Sequence, residues 1–326
     1  MNPDLYRRLP RRDWLRGAAA AAAALALRAP LAACGNGTPS RAEPPRGAPT
    51  GTALDPDRAR LTDWTAALRA EGLANAGKPL GRAAARVGEL AGGTPYEPHT
   101  LEAYLSAGND AAGVEPLTLS LTRFDCVTLV EACLAVGRVS RGGEPTWDQF
   151  GREVERMRYR HGERRGYASR LHYFSEWISD GTARGLVRDL GAELGGEEDT
   201  RPLRFMTAHR GSYAALTDDD VFRTIGTIER GLDGRPRRVV PTGRIPEVAG
   251  RIESGDVLAF ATAIPGLDVT HAAFAYRDAE GTLRVLHAPL SGGVVEITRA
   301  TLPQYVAAIR RSTGILVARP LWGTAG

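Results

Sequence analysis

The segment FDCVTLVE, residues Phe124–Glu131, carries the strongest structural signal in this chain. A cysteine directly follows an aspartate and precedes an apolar run, which is typical of a helix start. The segment predicts a helix over Cys126–Val139. Free N–H groups and the positive end of the helix dipole stabilise a thiolate, so we expect a lowered pKa for Cys126 and assign it as a candidate nucleophile.

The alternative for any single cysteine is a buried side chain that acts as a small hydrophobe. We interpret Cys133 in that way. It lies about two helical turns beyond Cys126, roughly 10 Å along the axis, which is too far for a disulfide between them. A thiol left unpaired in an exported protein favours a chemical use for Cys126.

A nucleophilic cysteine needs a base, and the chain contains six histidines. His271 lies at the start of a predicted strand and His287 at the end of the next one. Because the two positions are an even number of residues apart, an odd-numbered loop such as Arg277–Gly281 makes them cross-strand partners on one face. The second imidazole then orients the first and fixes its tautomer. For either histidine alone, the simpler interpretation is a half-buried sheet residue.

Small side chains accompany this predicted histidine pair. By the alternation of strand residues, the same face carries Ala273, Ala275, Leu283 and Val285. We expect the alanines to leave room there for the helix that begins at Cys126.

The order of predicted elements indicates an α+β fold. Helix starts are predicted near Asp55, Pro79, Cys126, Thr146, Leu171 and Thr217. Short strand candidates follow at Val239–Val240, Asp256–Ala261, Val269–Tyr276, Leu283–Ala288, Gly293–Ile297 and Ile315–Ala318, with a helix at Leu302–Arg311. Helices followed by a strand meander predict an antiparallel sheet packed by helices on one side.

The first 33 residues have the features of an export signal. Arg11–Arg16 resembles the twin-arginine pattern, and the apolar stretch Ala18–Leu27 is too short to span a bilayer. Leu31–Cys34 resembles a bacterial lipobox, so we expect lipidation of Cys34 and a lipid-anchored protein of the cell envelope. The alternative is a plain signal peptide in which Cys34 is incidental.

The charge pattern narrows the partners. The net charge of +4 equals that of residues 1–33, so the rest of the chain is close to neutral and nucleic acid is not an expected partner. Lys78 is the only lysine, which excludes a lysine-containing phosphate loop elsewhere. The proline-rich segment 34–55 predicts a flexible linker, and 56–326 is the predicted catalytic domain.

Four segments together resemble the N-acetylmuramoyl-L-alanine amidase-like branch of the NlpC-type cysteine peptidases, which are circularly permuted papain-like enzymes of the bacterial cell wall. They are Gly93–Tyr96, Asp125–Glu131, Arg158–Trp177 and Gly266–His271. The Arg-Leu-His-Tyr run in the third segment is the most discriminating, because ordinary NlpC domains lack it. Gly255–Phe260 is a weaker match, and the resemblance extends over about residues 80–320.

The resemblance implies a papain-like NlpC-type fold in which a catalytic helix packs on an antiparallel sheet, with extra helical elements between the nucleophile and the sheet. It implies that Cys126 is the nucleophile, His271 the general base and acid, and His287 the residue that orients His271. Tyr96 matches a family tyrosine near the nucleophile, Asp125 directly precedes Cys126, and both are candidate substrate-binding residues. No cofactor is implied, and neither a His-Glu-x-x-His pattern nor paired-cysteine spacing indicates a metal.

The discriminating segment also supplies candidate substrate-binding residues. They are Arg158, Arg160 and Arg170 for a carboxylate, and Tyr159, Tyr173 and Trp177 for a sugar face, together with His172. The alternative is that the aromatic residues belong to the core and the arginines to a solvated face.

The implied activity is hydrolysis of an amide in peptidoglycan or muropeptides, first of all the bond between N-acetylmuramic acid and L-alanine. Two alternatives stay open. One is an endopeptidase that cleaves within the stem peptide, and the other is a catalytically inactive, lipid-anchored wall-binding protein. If a Cys126 thiolate and a protonated His271 form the working pair, we expect a bell-shaped dependence of rate on pH.

Overall fold

An antiparallel sheet, built mainly from the C-terminal third of the chain, is the framework of the molecule. The computed structural model describes residues 55–75, 77–289 and 293–323. Its strands are β1 (Val187–Asp189), β2 (Glu197–Asp199), β3 (Arg237–Pro241), β4 (Val257–Thr262), β5 (Val269–Arg277), β6 (Leu283–His287), β7 (Glu296–Ile297) and β8 (Ser312–Pro320). Their order is β2-β3-β8-β4-β5-β6-β7, with β1 also paired to β8, and every pairing is antiparallel.

Helices precede the sheet and surround it. They are α1 (Pro56–Ala70), α2 (Leu80–Leu90), α3 (Ala103–Ser106), α4 (Cys126–Val139), α5 (Trp147–Arg158), α6 (Phe174–Ala183), α7 (Phe205–Ala208), α8 (Asp219–Gly231), α9 (Ile245–Val248) and α10 (Leu302–Ala308). Helix α4 is central, because every residue from Leu129 to Arg138 is buried. It packs against α1, α2, α5 and β5.

The predicted export segment cannot be compared with the structure. Residues 1–33, the lipidation site Cys34 and the linker up to residue 54 lie outside the described residues. Of the helices within residues 55–323 that the structure describes, none combines the length and apolar character needed to cross a bilayer.

Both faces of the sheet are covered by helices. On one face, α4 shares a core with Ala272 and Phe274 of β5. On the opposite face, Leu302 of α10 packs in a second core with Ala273. The expectation of helices on one side was therefore wrong, as was the expectation of α4 on the Ala273 face. The reason is that the other face also carries small residues, such as Ala259, and α4 packs in the core on that face.

The predicted α+β class is confirmed, and most element starts agree with the sequence. Thr146 caps α5 as expected, accepting a hydrogen bond from the N–H of Gln149. Helix α8 begins one residue later than predicted, because Asp218 rather than Thr217 accepts hydrogen bonds from its first turn. Strands β1 and β2 have no counterpart in the prediction, since such short, charged segments lack apolar alternation.

Gly255 shows why the segment before β4 tolerates no larger residue. Its backbone has φ +85°, and a Cβ built there would lie 1.8 Å from the carbonyl oxygen of Gly81 in the first turn of α2. Its N–H donates to the carbonyl of Ala275, at 2.8 Å. Helix α2 and the start of β4 therefore meet backbone to backbone.

Replacing Gly255 with alanine is expected to lower the free energy of unfolding by about 2–4 kcal/mol, combining the strain at positive φ with overpacking. Gly281→Ala is the matched control, because Gly281 has φ +80° but open space around its Cα. Its expected loss is about 1 kcal/mol, from backbone strain alone. Urea unfolding of both variants measures the difference, and equal losses would contradict the importance of the contact with Gly81.

Candidate active site

Cys126 is the first residue of α4, and a capping box fixes the backbone in front of it. Asp125 accepts a hydrogen bond from the Thr128 N–H at 2.7 Å, and the Asp125 N–H donates to the Thr128 hydroxyl at 2.8 Å. The Asp125 carboxylate also receives the Thr128 hydroxyl, at 2.9 Å. Asp125, predicted to contact substrate, is therefore engaged in holding the helix start.

A β-bulge in β5 lies where this strand meets the tip of α4. Ala272 pairs with Ala259, but Val269 pairs with Ala261, so Thr270 and His271 together oppose a single residue of β4. Bulges of this kind re-aim side chains and release backbone groups from the ladder. The N–H of Ala272 points at the Cys126 sulfur, as do the N–H groups of Cys126 and Val127. The Cys126 sulfur therefore lies next to the backbone of Ala272, the residue that directly follows His271 in the chain.

His271 and His287 form a hydrogen-bonded pair, with 2.8 Å between Nε2 of His271 and Nδ1 of His287. The register pairs Arg277 with Leu283, which gives a loop over residues 278–282 rather than the predicted Arg277–Gly281. One more step along the ladder places Ala273 opposite His287. The predicted shared face is confirmed, whereas directly opposed histidines were wrong, because His271 lies diagonally across from His287.

Aromatic rings enclose this histidine pair. Phe260 of β4 stacks on the His271 ring with 5.7 Å between centroids, and Tyr305 of α10 meets the His287 ring edge-on at 5.2 Å. Both imidazoles are buried, and Nδ1 of His271 has no hydrogen-bond partner within the described structure. Among the residues described, no group of three or more His, Cys, Asp or Glu side chains could hold a metal ion.

Burial favours the neutral forms of Cys126 and His271. It raises the pKa of the Cys126 thiol to about 12, and the nearby Asp125 carboxylate adds to the rise, against three backbone N–H groups that favour the thiolate. Burial lowers the pKa of His271 to about 3, with a further contribution from His287, whose own pKa falls to about 4. The predicted lowering of the Cys126 pKa was therefore wrong, because loss of solvation outweighs the helix dipole.

Tyr96 lies beside Cys126, as the resemblance implied. Its backbone forms a parallel bridge with Phe124, and the N–H of Glu97 donates to the Phe124 carbonyl at 2.9 Å. Burial raises the pKa of the Tyr96 hydroxyl, and the negative forms of Cys126 and Asp125 add to that rise. Tyr96, Cys126 and Asp125 therefore share one local electrostatic environment.

Arg158 is placed inside the protein rather than toward a ligand. It forms a buried ion pair with Glu131 of α4, with 2.8 Å between Nε and Oε2, and it donates to the Thr118 carbonyl at 2.7 Å. Both side chains are almost fully buried. Arg158 was predicted to bind a substrate carboxylate, but its carboxylate partner is Glu131 of α4.

Arg170 and Tyr159 belong to a second buried network. Arg170 donates to Glu102 at 2.9 Å and to Glu115 at 3.2 Å, and the Tyr159 hydroxyl donates to Glu115 at 3.1 Å. The Tyr104 hydroxyl is 3.4 Å from the same carboxylate. Arg170 is buried and already contacts the carboxylates of Glu102 and Glu115. Its guanidinium is therefore not accessible to a substrate carboxylate.

The remaining candidates of the Arg158–Trp177 segment also have internal partners. His172 Nε2 is 2.9 Å from the Tyr167 carbonyl, and the Tyr173 hydroxyl donates to the buried Glu229 at 2.6 Å. Arg160 binds Glu176 through two hydrogen bonds, and Trp177 stacks on Phe174. Tyr96, Asp125 and Cys126 interact with one another, and the Cys126 sulfur meets the N–H of Ala272, the residue after His271, whereas the segment serves as a scaffold next to them.

Sequence reasoning missed the residues that complete the site. Phe260 and Tyr305 carry no chemical motif, and only the fold shows that they flank the histidines. Glu296 pairs with His287 across β6 and β7, with 3.7 Å between its Oε1 and Nε2 of His287. Its position in a predicted strand directly after the His287 strand was the one available signal.

Comparisons with known proteins identify the family of this chain. A sequence model of the N-acetylmuramoyl-L-alanine amidase-like family matches residues 86–315, which is most of the described chain. The chain belongs to the N-acetylmuramoyl-L-alanine amidase-like family. No match is found among curated protein sequences.

Solved structures resemble this amidase-like chain over most of its length. An N-acetylmuramoyl-L-alanine amidase from Bacteroides uniformis is 29% identical, with a TM-score of 0.67, covering 74% of this chain and 99% of its own. A Bacteroides fragilis structure with the provisional name xylanase is 32% identical, with a TM-score of 0.65, covering 72% and 99%. A Legionella pneumophila protein, 16% identical with a TM-score of 0.57 and covering 81% and 94%, shares the fold.

The buried ion pair between Glu131 and Arg158 in this amidase-like chain predicts a structural phenotype. Arg158→Met is expected to lower the free energy of unfolding by about 3–5 kcal/mol, because it leaves the Glu131 carboxylate buried without a partner. The double variant Glu131→Leu/Arg158→Met should recover most of that loss. Chemical denaturation of the three variants measures the cycle. Full stability of Arg158→Met would instead indicate that the arginine is free to bind a ligand.

The neutral thiol and imidazole predict how Cys126 reacts with iodoacetamide. Because the thiol pKa lies far above neutrality, loss of its proton to water should make the alkylation rate rise with pH, approaching about tenfold per pH unit between roughly pH 6 and pH 9. Below about pH 6 the rate should level off, because the proton then passes to His271 inside the protein, a transfer that does not depend on pH. Peptide mass mapping assigns the label to Cys126, with the buried Cys133 as an unlabelled internal control. A flat rate over the whole range would show that transfer to His271, rather than loss to water, supplies the thiolate throughout.

Proposed function

We propose that this protein hydrolyses the amide between N-acetylmuramic acid and L-alanine in peptidoglycan or muropeptides, with Cys126, His271 and His287 as its catalytic groups. The observation that carries the proposal is the position of the hydrogen-bonded imidazole pair. His271 and His287 are 2.8 Å apart, and Ala272, the residue after His271, directs its N–H at the Cys126 sulfur. A helix-start thiol beside an oriented imidazole is the arrangement that acyl transfer through a cysteine requires.

The reaction begins from the neutral pair. Nδ1 of His271 is buried and has no hydrogen-bond partner among the described residues. Its lone pair is therefore the one that takes the thiol proton as the sulfur attacks the substrate carbonyl. Backbone N–H groups at the start of α4, including that of Cys126, are the donors for the developing oxyanion. The protonated His271 then gives its proton to the leaving amine, and water hydrolyses the thioester with His271 again as base.

The scaffold segment acts on this reaction through position. Glu131 lies on α4 and is tied to Arg158 at the end of α5, so the helix that presents Cys126 is clamped from outside. Of the residues predicted to bind substrate, Tyr96 and Asp125 lie next to Cys126, and Asp125 is occupied in capping α4. We therefore propose Tyr96 as a substrate contact and the arginines of the segment as positioning residues.

The side chains at this site fit amide cleavage better than glycosidic cleavage, the activity in the provisional name of the Bacteroides fragilis structure. Glycosidases generally need two carboxyl groups facing one bond. Here the Asp125 carboxylate accepts two hydrogen bonds from Thr128, and Glu296 faces His287. A thiol with an imidazole pair instead supports an acyl-enzyme route.

The cell envelope is the proposed place of action. The export pattern at residues 1–33 and the lipobox-like Leu31–Cys34 support export with lipidation at Cys34. A location outside the cytoplasm brings the protein to peptidoglycan, the substrate class named by its family. Membership of the wider NlpC-type superfamily belongs to the same proposal.

Two substrates separate the possible outcomes. Purified protein is incubated with N-acetylmuramoyl-L-alanyl-D-isoglutamine and with a free stem tetrapeptide, and products are identified by mass spectrometry. We expect free N-acetylmuramic acid and a dipeptide from the first, and no cleavage of the second. Cys126→Ala should reduce the rate by about three or more orders of magnitude, as loss of a covalent nucleophile does.

The control is Cys133→Ala, which removes a buried thiol on the same helix and should leave turnover near that of the parent protein. Cleavage confined to the stem tetrapeptide would make the protein an endopeptidase. Folded protein that cleaves neither substrate would overturn the hydrolase proposal in favour of a wall-binding role.

A further inference from the structure

The histidine pair continues beyond His287 to a carboxylate. Glu296 is the direct cross-strand partner of His287, and such partners have Cβ atoms about 4.5–5.5 Å apart. Its Oε1 is 3.7 Å from Nε2 of His287, a nitrogen with no hydrogen-bond partner among the described residues. The distance lies within range for a charge pair but outside that of a hydrogen bond.

Proton positions along this chain follow from the chemistry proposed for His271. If Nδ1 of His271 is to accept the thiol proton, it carries a lone pair, and the His271 proton is on Nε2. That N–H then donates to Nδ1 of His287 across the 2.8 Å contact. The His287 proton must in turn be on Nε2, the nitrogen that faces Glu296.

Glu296 has no ionic partner in this contact while the imidazoles stay neutral. Burial lowers the pKa values of His271 and His287 far below neutrality, so both rings are uncharged in the free protein. When the thiol gives up its proton, one positive charge enters the pair. Glu296 is the carboxylate that then faces it at charge-pair distance.

We infer that Glu296 is a positioning residue of the site, which fixes the His287 tautomer and stabilises the imidazolium formed when Cys126 loses its proton. The inference rests on the proposed function for the identity of the base. Cys126 Sγ–H gives its proton to Nδ1 of His271, the sulfur keeps the electron pair, and no other bond changes in this step.

The other groups around His287 do not replace this carboxylate. His271 lies on β5, and Tyr305 approaches from α10 with its hydroxyl 3.4 Å from Nδ1 of His287. That nitrogen has a single lone pair, already directed at His271, so the hydroxyl is a weaker second donor there. Neither group carries a negative charge at neutral pH.

Iodoacetamide alkylation of Cys126 tests the inference without any substrate. The full-length protein is labelled at roughly pH 5–6, where the thiol proton passes to His271 rather than to water, and the rate at the Cys126 peptide is followed by mass spectrometry. Glu296→Gln should slow labelling by about two- to fivefold, a modest effect because the carboxylate is half exposed. The difference should narrow at high salt, since exposed charges are screened.

Glu280→Gln is the matched control. It removes the same charge from an exposed position in the loop at the far end of β5, about 20 Å from His271 by the rise of a strand. Its labelling rate should equal that of the parent protein. Glu296→Asp keeps the charge and should recover part of the rate, which a purely structural role would not predict.

Nitrogen NMR of the two imidazoles gives an independent readout. We expect the proton on Nε2 in both rings, and a mixed tautomer population for His287 in Glu296→Gln. Unchanged labelling and an unchanged tautomer in Glu296→Gln would overturn the inference, as would a loss seen in Tyr305→Phe alone. Because these readouts need no turnover, absence of amidase activity would bear on the proposed function and leave the inference to its own test.

Discussion

Close packing of helix α4 on strand β5 is the contact on which the site depends. Every residue of α4 from Leu129 to Arg138 is buried, so neighbours fix the helix on all sides. Small residues also permit close packing of α4 on its neighbouring helix, as at Gly137, where a Cβ would lie 2.8 Å from Leu80 of α2. Protein interiors are packed as densely as crystals, so a displaced helix has no free volume to occupy. The position of Cys126 against the Ala272 N–H is therefore set by the core rather than by the loop before it.

Buried ion pairs beside this core explain the sequence character of the Arg158–Trp177 segment. The pairs Glu131–Arg158 and Glu115–Arg170 are nearly inaccessible to water. Such pairs add little net stability, because desolvation offsets their attraction, but they penalise any arrangement that separates the partners. A buried network with satisfied hydrogen bonds therefore selects one geometry of the scaffold around α4. Arg158 and Arg170 therefore stabilise one shape of this scaffold.

Sequence reasoning succeeded where a local pattern determines the outcome. The start of α4 followed from Asp125 and Cys126, since a helix cap is decided by adjacent residues. The shared face of the two histidines followed from alternation within a hairpin. Their diagonal register could not be predicted, because alternation does not encode the bulge at His271 or the bounds of the loop. Partners such as Glu115 for Arg170 are far apart in the chain and had no pattern to reveal them. The sign of the Cys126 pKa change depended on burial, which helix-dipole reasoning alone omits.

The neutral state of the thiol and imidazole has a chemical consequence. Each unit by which burial separates the two pKa values from neutrality adds about 1.4 kcal/mol to the cost of forming the ion pair. That cost is reduced by groups already in place at the sulfur, namely the N–H groups of Ala272, Cys126 and Val127. A thiol that ionises only during reaction is also slow to oxidise, because oxidants attack the thiolate. For a protein exported as proposed, the half-buried, neutral Cys126 thiol therefore resists oxidation, while the preorganised donors limit the loss of rate.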